Sequence, residues 1–183
     1  MRTFPFAALA FALGCTGPRF QVGLAPAYFP DTTTVFYADY FANALHNLDL
    51  APLTRSISDT SRVYRTTSFM FQGTPAVVYT IRPRGDSASV ELRYLDAHQH
   101  MHVVRGQLSS ASWAQLAEYE KDWQIWTRQG RGAEFNGLDG GGTLLESVVG
   151  GEYRAWSTQV SDRDLDLYHT WLAYQLDLAL GRR

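Results

Sequence analysis

The chain has 183 residues, 45% hydrophobic and 19% charged, which fits one folded domain with a short tail and excludes a disordered chain. Sixteen basic and eighteen acidic residues leave a formal charge of −2, scattered rather than striped, which argues against nucleic acid as a partner. A single cysteine excludes an intrachain disulfide, so the fold must rest on its core alone.

The first fifteen residues, MRTFPFAALAFALGC, place Arg2 before an apolar run from Phe4 to Leu13, with Gly14 ahead of Cys15. That is the layout of an export signal. The run is far shorter than the ~20 residues a spanning helix needs, so no transmembrane anchor is expected. The stretch Ala12–Cys15, ALGC, resembles the lipobox of bacterial lipoproteins, with alanine at 12 where leucine is commoner. The resemblance implies that the signal 1–14 is cleaved and that the Cys15 thiol carries diacylglycerol, the protein becoming palmitate-labelled and membrane-held. Thr16 in the next position implies the outer membrane, facing the periplasm; plain secretion is the alternative.

Residues 15–31 carry three prolines and two glycines after Cys15 without a period, and read as a lipid-anchored tether ahead of a domain over 32–183. Phe36, Tyr40, Phe41, Ala44, Leu45 and Leu48 predict a helix over about 33–48, capped by Asp31 or a threonine and closed by Pro52. Four stretches rich in β-branched and aromatic residues follow as strands: 61–71, 76–83, 89–97 and 101–108, the second and third joined by a turn at Gly85-Asp86. Residues 109–127 predict a helix with Ser109 or Ser110 as cap and Trp113, Leu116, Ala117, Trp123 and Trp126 near one face. A turn cluster, NGLDGGG, then leads into a hairpin about Gly150-Gly151. The last helix starts at Ser161, ends at Gly181 and stripes Leu165, Tyr168, Leu172, Leu176 and Ala179. Hairpins outnumber β-α-β steps, so the expected fold is α+β: a single domain with an antiparallel sheet of about six strands and about three helices packed on it.

Three sites are candidates for chemistry. His98, His100 and His102 alternate in DAHQHMHVV. On one strand face, residues two apart lie about 6.8 Å from each other, so a single zinc with ligands at ~2.0 Å takes at most a neighbouring pair plus a third ligand such as Asp96 or Glu91. The competing reading is a wet strand face, with Met101 and Val103 among the residues turned inward. Glu146 is expected to share a face with Leu144, Val148 and Tyr153, where a carboxylate must find a partner, Tyr153 or an arginine, or shift its pKa. Asp139, in the glycine cluster, reads as a residue bonding its own turn. The motifs LSSASWAQL, WQIW, GLDGGGTLLE and GGEYRAW, spread over about 106–158, are similar to a loosely defined group of small bacterial envelope proteins of unassigned activity. The function these residues support is a lipid-anchored envelope module for binding or structural interaction, with the membrane and an envelope protein as partners and no cofactor. The alternatives are a periplasmic zinc-dependent hydrolase built on the histidine run, and an inhibitor or immunity-type lipoprotein.

Overall fold

Alternating apolar and polar residues in a strand give a sheet two distinct faces, and here both are covered by helices. The computed structural model describes residues 20–31, 35, 37–58, 60, 62–70, 74–122, 141–158 and 163–180. Their order is α1 (Ala25–Tyr28), α2 (Ala38–Asn47), a 3₁₀ turn (Leu53–Ser56), β1 (Arg62–Met70), β2 (Thr74–Arg84), β3 (Ser87–Leu95), β4 (Met101–Leu108), α3 (Ser110–Asp122), β5 (Gly141–Val149), β6 (Glu152–Thr158) and α4 (Arg163–Ala179). The strands form one six-stranded sheet, ordered β4-β3-β2-β1-β5-β6, with every neighbouring pair antiparallel. This is the expected α+β single domain. Gly150 (φ 57°) and Gly151 (φ 82°) take the left-handed backbone that a two-residue hairpin turn needs, and they pair Val148 with Tyr153.

Phe41, Leu45 and Leu48 of the α2 region join Tyr28 and Phe29 on one sheet face, against Val78 and Leu144. Leu116 of α3 and Tyr168, Leu172 and Leu176 of α4 pack on the other, against Tyr79, Ile81, Leu145 and Trp156. Ser109 caps α3, its hydroxyl accepting the Ser112 N–H at 3.1 Å. Trp123, Trp126, Ser161 and Gly181, named for the last two helices, lie outside the described residues, as does the NGLDG turn with Asp139.

Two expectations are corrected. The segment 15–31 is not a tether along its whole length: from Gln21 onward it is part of the folded unit. Asn43 clamps the Gln21 backbone, accepting its N–H at 2.7 Å and donating to its carbonyl at 2.8 Å. Ala25, Tyr28 and Phe29 are buried in the core. Proline and glycine content hid this, because a one-turn helix and tight turns use the same residues as a linker. The second concerns α2, which begins at Ala38 rather than near 33. Tyr37 at its N-cap is left-handed (φ 54°), and Asp39 spends its carboxylate on the Ala25 N–H at 2.9 Å. The helix stops before Pro52, because Asp49 (φ 52°) turns the chain left-handed and Leu50 N–H bonds back to Leu45 C=O at 2.9 Å.

Candidate functional site

The register of β1 on β5 sets Arg65 directly opposite Glu146, on the face covered by α1 and α2. Glu146 is fully buried and Arg65 is 3% exposed. Arg65 Nη1 lies 3.6 Å from Glu146 Oε2, and the Tyr153 hydroxyl donates to Glu146 Oε1 at 3.0 Å. Both partners foreseen for this carboxylate are thus present, and the shared face with Leu144, Val148 and Tyr153 is as the alternation required. Burial pushes Glu146 above the ordinary carboxylate value, with Arg65 and Tyr153 pulling it back. Tyr153 is raised by its own burial and by the neighbouring carboxylate.

What this cluster holds is visible in the chain above it. Four consecutive carbonyls past the end of α2 each accept a side-chain hydrogen bond. Arg93 Nη1 donates to Leu48 at 3.0 Å and to Asp49 at 2.9 Å, the Tyr28 hydroxyl to Leu50 at 3.1 Å, and Arg65 Nη2 to Ala51 at 3.1 Å. Arg93 is itself fixed by Glu91 at 2.8 Å, which also accepts from Arg105 at 2.7 Å. Carbonyls at a helix C-terminus carry partial negative charge, so two guanidinium groups from the sheet are well matched to them. The polar cluster therefore bolts the 48–51 segment to the sheet. Its balance is incomplete: Arg65 Nε and Nη1, Thr67 Oγ1 and Glu146 Oε2 have no hydrogen-bond partner among the described residues. With no exposed surface, the Glu146 carboxylate does not reach solvent.

The histidine run is a turn and not a strand. Asp96 Oδ1 accepts the backbone N–H groups of His98 at 2.8 Å and His100 at 2.9 Å, while Gln99 sits left-handed at φ 64°. β4 starts only at Met101, so His102 alone of the three is on a strand. There it faces the α4 side with Val104 and Gly106, stacked on Tyr94 at a ring separation of 4.9 Å and 12°. Met101 and Val103, expected inward, are exposed at 45% and 37%, because the turn resets the alternation. The histidines are exposed as well, His100 at 76% and His102 at 44%, so the wet face foreseen for them stands. Asp96 Oδ2 meets His102 Nε2 at 3.0 Å and His100 Nδ1 at 3.5 Å; the His102 bond chiefly holds the carboxyl well below its usual range. Rings of His98 and His100 are 6.2 Å apart. Among the described residues, no group of three acidic, histidine or cysteine side chains is arranged to hold a metal ion.

A third polar pair lies under α4. His169 Nε2 is in hydrogen-bond contact with the Thr66 hydroxyl, and its ring stacks on Tyr79 at 6.2 Å. Burial lowers His169 to about 4, and burial first, then Asp177, pushes Tyr79 up to about 12. The sequence reading passed over this histidine because it sits beside Tyr168 on an ordinary helical stripe. Arg65 and Arg93 were also passed over; an arginine inside a β-branched strand, on the same face as Val63, is the signal that marks Arg65. No known protein family model and no curated protein matches the chain.

Proposed function

We propose that the protein is a lipid-anchored module of the cell envelope that acts by binding or structural interaction. The observation that carries this is the sequence up to Cys15: a positive residue, a short apolar run, small residues and the only thiol in the chain. Two acyl chains or more, at about 0.8 kcal/mol per buried CH₂, hold such a protein on a membrane without a spanning helix. None of the helices described is long and apolar enough to cross one. An interaction role is supported by how the acidic candidates are used: Glu146 is buried against Arg65 and Tyr153, and Asp96 is committed to its own turn. Met101 and Val103, exposed on the edge strand β4, give an apolar surface open to a partner.

The test is palmitate labelling with membrane fractionation. Label on the wild type and none on Cys15→Ala, with that variant released to the soluble fraction, is the expected result. A Cys15→Ala protein that stays membrane-bound and processed as before sinks the anchor. Stoichiometric zinc in untagged protein, lost in His100→Ala, would favour the zinc-hydrolase reading instead.

A further inference from the structure

We infer that the domain lies directly on the bilayer, with Phe20, Val22 and Tyr40 in contact with lipid; this rests on the acylation of Cys15 proposed above. Only four residues, Thr16–Arg19, separate Cys15 from Phe20. At about 3.3–3.6 Å per residue, Phe20 lies within about 18 Å of the acylated cysteine however the linker runs. The two hydrogen bonds from Asn43 to the Gln21 backbone prevent the chain from paying out further, and Asn43 is itself buried. Whatever surface surrounds Phe20 is therefore held at the headgroups.

That surface is apolar and aromatic. Val22 is 86% exposed, Phe20 50% and Tyr40 48%. The Phe20 and Tyr40 rings lie 4.9 Å apart, and Tyr37 meets Tyr40 edge-on at 5.9 Å. Beside Tyr40, an open cleft of about 500 Å³ runs between Gly23–Pro26 and the first turn of α2. Tyrosine rings favour the headgroup level, with the ring in the apolar zone and the hydroxyl wet. The one charge in the linker is Arg19, whose sign suits anionic headgroups. Three large apolar side chains left in water would be a liability on a free domain, but on a bilayer each adds burial to the anchor.

The experiment reconstitutes the full acylated chain in phosphatidylethanolamine–phosphatidylglycerol vesicles. With Cys15 acylated, wild type takes up no thiol reagent, and Val22→Cys presents one free thiol for an environment-sensitive fluorophore. Ala111→Cys, exposed on α3 across the sheet, is the control. Expected are a blue shift and an intensity gain of about twofold or more at position 22, quenched by brominated lipid, with neither at position 111. In Asn43→Ala, with the clamp gone, the position 22 signal should weaken while acylation is unchanged. Acylated protein whose position 22 probe matches position 111 overturns this inference and leaves the anchor standing. A wild type that takes up label at Cys15 overturns the anchor, and this inference with it.

Discussion

A carboxyl with no exposed surface stays ionised in a core only with a partner, and Arg65 is the cation that opposes the effect of burial on Glu146. Removing one member strands the other charge, at a cost of about 3–5 kcal/mol, whereas replacing both with apolar groups of similar size is near neutral or stabilising. Denaturant unfolding should accordingly rank Glu146→Leu and Arg65→Met as severe single changes, and the double variant as milder than either. Additive losses would show that the pair is not coupled. Loss of Arg65 carries a second penalty, because the Ala51 carbonyl is then unbonded. His169 gives a pH signature. Its folded value of about 4 lies below the ordinary 6.5, so the unfolded chain takes up the proton first. The stability it contributes is complete above pH 6.5 and is lost as pH falls toward 4, by at most about 3 kcal/mol. Asp96 is lowered as well, so its contribution is also lost on acidification, but only from about its ordinary value of 3.8 downward, at the foot of that window. The wild type minus His169→Gln difference should therefore shrink as pH drops from 6.5 to 4; a constant difference would refute the assignment. Glu146 was legible because a strand alternates and Gly150-Gly151 fixed its phase. Its arginine was not, since pairing β1 with β5 is a long-range choice that no local pattern encodes.

At the scale of elements, the end of α2 has the hydrogen bonds of a Schellman turn but an aspartate where glycine is usual. Asp49 is strained in its left-handed backbone and sets negative charge at the negative end of a helix. Asp49→Gly keeps the carbonyl that Arg93 holds and should raise stability by about 0.5–1 kcal/mol, read as a shift in unfolding midpoint. A loss would mean that the side chain has a role these contacts do not show. The opposite change is expected in β4. A Cβ on Gly106 would lie 2.6 Å from Leu176 Cδ1 and 3.3 Å from Ala179 Cβ. Gly106→Ala should cost about 1–3 kcal/mol and loosen α4 from the edge strand, seen as faster hydrogen exchange along β4. Strand and hairpin positions were readable from glycine pairs and β-branched runs. The start of α2 was not: helical spacing continues back to Phe36, but the left-handed Tyr37 interrupts the backbone that the spacing assumes. The phase that turned Met101 and Val103 inward failed in the same way, through a side chain, Asp96, that closes a turn inside an alternating pattern.

The whole molecule is a sheet between two helical layers, and the layers differ in how they are tied. Among the described residues the two layers have apolar clusters of similar size, and the α1–α2 layer is held in addition by arginines from the sheet that grip its carbonyls. That makes the N-terminal boundary decisive. A domain starting at 32 lacks Ala25, Tyr28 and Phe29, and with them the cover over Val78 and Leu144 and the hydroxyl on the Leu50 carbonyl. Truncating one buried aromatic to alanine costs about 3–5 kcal/mol. Losing two consumes most of a total stability of about 5–15 kcal/mol, so little folded protein should remain. A chain begun at Phe20 is expected to melt cooperatively, while one begun at Thr32 should bind a hydrophobic dye and unfold without a sharp transition. Equal melting of the two would return residues 20–31 to the role of a linker. It would also remove the clamp on which the proposed membrane placement rests, so one pair of truncations bears on both the fold and that proposal.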